Sequence, residues 1–356
     1  MSPSAADVIE IAFRHTKGQL LRPFRFAQWM RLAFVGVLAG EMSSFSGCNF
    51  NVPSNYHPRG TQHFLAAPWL DFSNAHPALI AGLVAAFLVA WLGFVVLFTY
   101  VASVMRFILF DSVVARECHI RRGWSRRRHA GVRLFCWQLV LMLVMIATLL
   151  IVIGIPVAGA AMLGWFSDAR EHVLGLVLGG VTLFLALLLL AVLLGVIHVM
   201  TKDFVVPQMA LEDISALEGW RRLWPRLAAE KAGYAGYIGM KIVLAIGAAI
   251  LFGILSIMAF LVLLIPIGGA ALVAVLGGKA AVWDWNVYTI TLAVVFGCAG
   301  LAILIFATAL ISVPVVVFFP AYAIYFFAPR YPPLAALLWP PSTLPDGPAL
   351  APEAPA

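Results

Sequence analysis

Charged side chains are scarce in this chain of 356 residues, of which 11% are charged and 63% are hydrophobic. A soluble domain usually carries about 25% charged residues, so this composition cannot cover a surface that faces water. The scarcity of charge therefore excludes a soluble globular protein. It predicts a protein whose solvent is the lipid bilayer.

Cysteine is also scarce, and the four residues at positions 48, 118, 136 and 298 form no disulfide framework. The chain lacks the H-E-x-x-H, G-x-S-x-G and phosphate-loop motifs, and no apolar segment carries paired acids. His57, His63, His76 and Asp71 lie close in sequence, but their spacings match no zinc-ligand pattern. We therefore predict no catalytic residues, no cofactor and no metal, so the chain is not expected to be an enzyme.

Basic residues are few on one side of the predicted membrane and concentrated on the other. Twenty of the 23 Lys and Arg residues fall in four patches, at residues 14–31, 106–133, 202–241 and at Arg330. The loops between these patches keep only Arg59, Arg170 and Lys279. Cytoplasmic loops of membrane proteins carry such an excess of positive charge. The pattern predicts a prokaryotic plasma (inner) membrane protein with both termini in the cytoplasm.

The long apolar segments predict an all-α fold, a polytopic membrane bundle of about six spans. A single transmembrane domain covers residues 1–327. Nine prolines among residues 328–356 predict a disordered cytoplasmic tail, because proline cannot sustain a helix or a sheet. The predicted spans cover about residues 26–45, 77–100, 134–163, 172–200, 237–268 and 287–311, and the predicted interfacial helices about residues 4–20, 101–133 and 201–236.

Three internal similarities predict a repeated unit, an interfacial amphipathic segment followed by a helical hairpin, occurring three times in parallel orientation. Phe204-Val205-Val206-Pro207 matches Val317-Phe318-Phe319-Pro320, and Phe107-Ile108-Leu109-Phe110 occupies the equivalent place without the proline. Ile155-Pro156-Val157 likewise matches Ile265-Pro266-Ile267, and Gly123-Trp124-Ser125-Arg126 matches Gly219-Trp220-Arg221-Arg222. A proline near a helix end kinks or frays it, which predicts helix-end kinks at Pro156, Pro207, Pro266 and Pro320.

The interfacial segments carry arginine and tryptophan, the residues that anchor a helix among lipid headgroups. They flank membrane segments and line no aromatic groove, so we expect anionic phospholipids of the bilayer as partners and no nucleic acid. Packing glycines such as Gly36 and Gly40 also allow a homo-oligomer or a subunit of a membrane complex. The predicted basic contacts are Arg121, Arg122, Arg126, Arg127, Arg128, Arg221, Arg222 and Arg226, and the predicted anchors are Trp29, Trp124, Trp220 and Trp224.

Ionisable residues at membrane depth are expected to be functional, because a buried charge is costly. Glu41 is the best intramembrane candidate, since it could carry a proton or pair with a cation. The competing interpretation places it near the far interface, solvated. His198 near the end of the fourth span is a weaker candidate, most simply a satisfied interfacial histidine.

A family resemblance rests on Lys17, Arg22-Pro23-Phe24 and Trp29, and on Asp203-Phe204-Val205-Val206-Pro207 followed by Trp220-Arg221. In the order of these features the chain resembles an uncharacterised family of six-span prokaryotic membrane proteins. It is also similar to the membrane domain of some bacterial glycerophosphodiester phosphodiesterases, over about residues 8–325. The resemblance implies a multi-helix membrane module. It implies no phosphodiesterase activity, because the catalytic domain is absent.

The leading functional hypothesis is a non-enzymatic integral membrane protein, a scaffold or accessory module whose basic helices contact anionic lipid on the cytoplasmic face. The alternative is a transporter or channel for an apolar or amphiphilic solute, which requires a polar cavity between helices. A third hypothesis, an intramembrane enzyme, requires ionisable groups that converge in one pocket.

Overall fold

The computed structural model describes residues 4–41, 77–165, 172–280 and 287–340, and the described residues form helices and no strand. An all-α polytopic membrane bundle is thereby confirmed. The helices are α1 (Asp7–Leu21), α2 (Phe26–Leu38), α3 (Pro77–Ala115), α4 (Ile120–Met162), α5 (Val173–Met200), a π-helical turn (Thr201–Val205), α6 (Val206–Glu212), α7 (Ala216–Ala229), α8 (Lys231–Ala280), α9 (Val287–Phe327), a 3-10 turn (Ala328–Arg330) and α10 (Pro332–Leu338).

The long helices extend well beyond a bilayer. Helix α3 has 39 residues and α8 has 50, which at about 1.5 Å per residue are about 58 Å and about 75 Å long. The hydrocarbon core of a membrane is about 30 Å thick. Each of these helices therefore has one part for the membrane and a second part that packs elsewhere.

The second parts meet in a common core, which we call the hub and define as residues 4–41, 101–134, 200–241 and 309–340. The described remainder, residues 77–100, 135–165, 172–199, 242–280 and 287–308, we call the arms. Every buried side chain of the described chain lies in the hub, and the boundaries are sharp. Helix α4 has its last buried residue at Leu134, and α9 has its first at Ala309.

Aromatic residues fill the hub around Phe204, which is fully buried. Its ring centroid lies 5.1 Å from those of Tyr237 and Phe327 and 5.3 Å from that of Tyr234. Ring pairs at such distances stabilise a core beyond the area that they bury. The hub is thus a packed interior formed by elements from the whole length of the chain.

Five helices of the described chain are long and apolar enough to cross a membrane, where six spans were predicted. The predicted first span, 26–45, contains only the 13-residue helix α2, about 20 Å long. Its Trp29 indole donates a hydrogen bond of 2.9 Å to the Leu310 carbonyl, and Gly36 lies against Val316. Helix α2 therefore packs in the hub, and residues 42–45 lie outside the described residues.

Two of the predicted interfacial helices do not form single helices of their own. Residues 101–115 continue α3, and the basic residues from Arg121 onward begin α4. The segment 201–236 divides into the π-helical turn, α6, α7 and the start of α8. The predicted helix 4–20 corresponds closely to α1.

The predicted disorder of the tail is wrong for its first part. Tyr331 and Leu334 are buried in the hub, and α10 follows directly. Two prolines at the first positions of α10 lack amide hydrogens that a helix start does not use, so the run Leu-Ala-Ala-Leu-Leu after them can form a helical turn. Residues 341–356 lie outside the described residues.

The four prolines predicted to kink helix ends lie within or at the start of helices. Pro156, Pro266 and Pro320 are inside α4, α8 and α9. Pro207 is the second residue of α6, one position after Val206, whose amide closes the π-helical turn by donating to the Thr201 carbonyl five residues back. The π-helical turn therefore lies beside Pro207, whose missing amide hydrogen interrupts the α-helical hydrogen-bond pattern.

Candidate functional site at the junction of hub and arms

The π-helical turn places two oppositely charged neighbours, Lys202 and Asp203, at the boundary where α5 enters the hub. A π turn is rare in proteins and often marks a functional position. Lys202 and Asp203 form ion pairs with different elements, Lys202 with the end of α2 and Asp203 with α8.

Glu41 reaches Lys202 because of the way α2 ends. Gly40 adopts a left-handed conformation with φ 75°, and the Glu41 amide donates to the Gly36 carbonyl at 3.0 Å. This pattern is a glycine C-cap, which reverses the chain just after the helix. The Glu41 side chain is 3% exposed and accepts a hydrogen bond from the Lys202 ammonium. The interpretation of Glu41 as solvated at the far interface is wrong.

Asp203 is held by two residues one turn apart on α8. The Tyr237 hydroxyl donates to Asp203 Oδ2 at 2.8 Å, and the Lys241 ammonium donates to the same oxygen. The Asp203 side chain is 3% exposed and that of Lys241 is 13% exposed. Residues spaced by four on a helix lie on one face, so α8 presents both donors together.

Arg106 on α3 adds a third cation without a carboxylate partner within the described chain. Its Nε donates to the Ala39 carbonyl at 3.4 Å, and the described residues offer it no other hydrogen-bond acceptor. Lys202, Lys241 and Arg106 thus stand against the carboxylates Glu41 and Asp203. Counting the described residues alone, the cluster carries one surplus positive formal charge, which is costly near membrane depth unless an anion balances it.

Two cavities adjoin this ionic cluster and share Glu41 and Lys202. The smaller, of about 30 Å³, brings together the three similar strings of the predicted repeat, through Leu109, Phe110, Val206, Pro207 and Pro320. The repeat itself stays a prediction. The larger cavity, of about 170 Å³, is lined by Glu41, His198, Val199, Lys202, Ile238, Lys241, Ile242, Ala245 and Phe319.

Some of the predicted lipid-contacting arginines are exposed without an ion pair in the described chain, and others bond or pack against neighbouring residues. Arg121, Arg122, Arg126 and Arg128 are exposed, and none forms an ion pair within the described chain. Arg221 is exposed and lies 3.4 Å from Glu218. Arg222 bonds both Glu212 and Glu218, and Arg226 lies over the Tyr331 ring at 5.2 Å.

Arg127 is a correction to the predicted lipid contacts. Its side chain is 11% exposed and bonds both oxygens of Asp111, at 2.7 and 2.6 Å. Its third nitrogen donates at 2.6 Å to the Ala210 carbonyl near the end of α6. A planar guanidinium can make three such bonds at once, so Arg127 joins α3, α4 and α6 instead of reaching lipid.

Three of the four predicted tryptophan anchors are half-buried and pack against the hub core. The Trp220 indole donates to the Thr201 hydroxyl at 3.1 Å, and Trp124 packs edge-on against Tyr100 at 6.1 Å. Trp29 bonds α9, as described above. Trp224 on α7 is 65% exposed, so it alone of the four presents its ring outward.

The sequence did not indicate the residues that attach the ends of the described chain to the hub. His15 of α1 bonds the Val113 carbonyl at 3.0 Å, and Gln19 donates to the Ser112 carbonyl at 2.9 Å. These carbonyls belong to the last turn of α3, where no helical amide is available. His15 and Gln19 lie four residues apart on α1, and that spacing is the only signal that could have indicated their shared role.

Arg330 fastens the other end of the described chain. It bonds both carboxylate oxygens of Glu230, at 2.8 and 2.7 Å, and lies over the Phe326 ring at 4.0 Å. In the sequence, Arg330 indicates only the side of the membrane on which the basic residues lie. Residues of α1 and α10 thus belong to the same buried core.

Comparison with known proteins identifies the chain at the level of a family. Residues 3–337 match the family of unknown function DUF7544. The chain belongs to this family. The match extends through most of α10, in agreement with the packing of that helix on the hub. No curated protein and no solved structure matches the chain. The resemblance to the phosphodiesterase-linked membrane domain stays a prediction.

Proposed function

We propose that this DUF7544 protein is a non-enzymatic membrane scaffold or accessory module whose hub contacts anionic lipid headgroups on the cytoplasmic face of a prokaryotic plasma membrane. One observation carries the proposal. Arg121, Arg122, Arg126 and Arg128 are exposed on the first turns of α4 without an ion-pair partner in the described chain. Many of the other hub cations, by contrast, bond a carboxylate or a backbone carbonyl.

Four positive charges at the start of α4 are electrostatically unfavourable when no negative charge from outside the protein is present. The start of a helix carries partial positive charge and prefers acidic residues. Helix α4 has no acidic residue in its first turn, and its N-cap residue His119 makes no side-chain cap. Anionic headgroups beside this helix start would supply the missing negative charge. Attraction to an anionic membrane surface is worth about 1 kcal/mol per basic residue.

Helix α7 supplies an apolar contribution to the same proposed function. Leu217 is 67% exposed and Trp224 is 65% exposed, and the exposed Arg221 lies between them in sequence. Exposed tryptophan and leucine beside arginine are typical of helices that lie at a membrane interface. Under this proposal, a second copy of the chain or partner subunits of a membrane complex contact the exposed arms.

Replacement of all four α4 arginines by glutamine tests the proposal. We expect the purified variant to retain less than half of the phosphatidylglycerol that the wild type retains in gentle detergent, measured by lipid mass spectrometry per mole of protein. A matched variant with lysine at the same four positions keeps the charge and should retain the wild-type amount. Equal phosphatidylglycerol in the glutamine and lysine variants would contradict the proposal.

The larger cavity favours the transporter hypothesis as a second candidate, because charged side chains line one part of an otherwise apolar space between helices. It lies at the junction of hub and arms. Solute-dependent changes in the accessibility of a cysteine introduced at Ala245 to a water-soluble thiol reagent would support transport. Unchanged labelling across a panel of amphiphilic solutes would count against it.

A further inference from the structure

We propose that the larger cavity at the ionic cluster binds the monoanionic phosphodiester headgroup of a single membrane lipid, at a site separate from the exposed arginines of α4. The shape and chemistry of the lining, the charge of the cluster and the unused hydrogen-bond donors all support this ligand class.

The lining of the cavity is divided into a polar and an apolar part. Lys202, Lys241, Glu41 and His198 form the polar part. The apolar part includes Ile238, Ile242 and Ala245, which share one face of α8 with Lys241 because their spacings are three and four residues. A ligand with a charged head and an apolar body matches this division better than an ion or an apolar solute does.

The apolar part of the lining continues onto the arms. Ile242 is 54% exposed, and the next turn of α8 carries Ile246, which is 57% exposed. More than half of the surface of each side chain is left uncovered by the described chain. A lipid whose headgroup occupies the cavity would therefore place its acyl chains against the apolar surface of α8. That surface lies in the hydrocarbon region of the membrane under this proposal.

The charge of the cluster matches a monoanion. In the part of the chain that the structure describes, three cations face two carboxylates, so one further negative charge makes this cluster neutral. A neutral cluster is far less costly than a charged one in surroundings of low dielectric constant. A phosphodiester carries a single negative charge at neutral pH and provides acceptor oxygens.

Unused donors are available for those oxygens. An ammonium group has three donors and no acceptor. Lys202 uses one donor on Glu41, and Lys241 uses one on Asp203. Among the described residues no other acceptor takes a hydrogen bond from either lysine, so two donors on each remain for a ligand. The cavity volume of about 170 Å³ is similar to that of engineered cavities of about 150 Å³ that admit a benzene molecule, which suits a headgroup.

Native mass spectrometry of the full chain in detergent tests the site, with dioleoyl phosphatidylglycerol, dioleoyl phosphatidylcholine and inorganic phosphate as separate probes. We expect one phosphatidylglycerol to bind at least tenfold more tightly than phosphatidylcholine. Inorganic phosphate should not displace it at equal concentration. Equal binding of the two lipids would overturn the proposal, and displacement by phosphate would assign the site to a free anion.

Ala245→Trp fills the apolar part of the cavity without changing any charge, and it should weaken phosphatidylglycerol binding at least tenfold. Ala86→Trp, at an exposed position on the arm of α3, is the matched control and should leave binding unchanged. Lys241→Gln should abolish the preference for phosphatidylglycerol, whereas Lys241→Arg should keep it. Tight binding that survives Ala245→Trp would refute the site, even if Lys241→Gln proves too unstable to purify.

The same lipid-binding measurement separates the cavity from the four exposed arginines of α4. The variant with four glutamines on α4 should lose loosely retained lipid and keep the single tight phosphatidylglycerol. If that variant loses the tight lipid while Ala245→Trp keeps it, the inference about the cavity fails and the proposed function of the arginines stands.

Discussion

The hub and the arms are built from the same helices and yet follow opposite packing rules. On α3, Ile108 in the hub is 1% exposed, while Leu97 in the arm, three turns earlier, is 61% exposed. In four of the five membrane-length helices, none of the most apolar 18-residue stretch is buried within the chain. The hub provides its own interior, whereas the arms depend on lipid or on another protein to cover them.

This difference teaches that apolar residues in one helix can have two distinct roles. In the hub, an apolar side chain stabilises the fold by packing against residues distant in sequence. In an arm, the same side chain is compatible with the membrane whether or not the fold is intact, because lipid is as apolar as leucine. Substitutions of the same type should therefore have unequal effects in the two regions.

The largest difference is expected between two phenylalanines on the continuous helix formed by α5, the π-helical turn and α6. Phe204→Ala empties the centre of the aromatic core and should reduce the free energy of unfolding by about 3–5 kcal/mol. Phe184→Ala changes a side chain that is 65% exposed on the arm and should cost less than about 1 kcal/mol. Chemical unfolding in detergent measures both, and equal losses would contradict the division into hub and arms.

A smaller effect, with a reversal of sign, is expected for two glycines of α4. A Cβ at Gly131 would lie 2.4 Å from Val104 Cγ2 and 3.1 Å from its Cα, so Gly131→Ala should destabilise the hub by about 1–3 kcal/mol. Gly154 in the arm has no atom within 4 Å of that position. Gly154→Ala should stabilise its helix by up to about 1 kcal/mol, because alanine favours helix more than glycine does. Thermal unfolding of the two variants in one detergent would show opposite shifts, and a shared direction would argue against the contrast.

The smallest effect concerns pH and the attachment of α1 to the hub. Burial lowers the pKa of His15 below its ordinary value of 6.5, and the nearby Arg116 lowers it further. The Val113 carbonyl can only accept, so Nε2 carries the hydrogen and Nδ1 accepts from the Tyr325 hydroxyl at 3.0 Å. The unfolded chain therefore binds the proton more readily than the folded chain does. The stability from this contact is complete above pH 6.5 and declines as the pH falls below it.

Hydrogen exchange of α1 at pH 7.5 and 5.5, corrected for the intrinsic rate, measures this decline. We expect faster exchange at pH 5.5 in α1 and little change in the arms. Replacement of the exposed His119 by glutamine should leave the difference intact, whereas His15→Gln should remove it. A pH-independent exchange rate in wild-type α1 would contradict the assigned role of His15.

The membrane class, the helical fold and most helix positions could be predicted, because they depend on local composition. Apolar runs and their spacing identify α3, α4, α5, α8 and α9 directly. The start of α7 was also predictable, since the Ser215 hydroxyl accepts from the Glu218 amide as its capping pattern indicates. These features need no knowledge of contacts between distant residues.

The hub could not be predicted, because its key contacts join residues far apart in the sequence. Glu41 pairs with Lys202 across 161 positions, and Arg330 pairs with Glu230 across 100. Arg127 and Arg128 are neighbours of the same type, and only the fold turns the first toward Asp111. The helical part of the tail was predictable in principle from Pro332 and Pro333 followed by apolar residues, but the density of prolines obscured it.

The π-helical turn between α5 and α6 acts as a rotational offset between the membrane and the hub. One residue of an α-helix corresponds to about 100° of rotation, and a π turn holds about one more residue than an α-helical turn. Without Thr201–Val205 in this form, the whole arm of α5 would turn by about a quarter of a revolution relative to the hub. A single-residue deletion there would thus rotate the arm of α5 along its whole length, so that a different side of the helix would face the lipid.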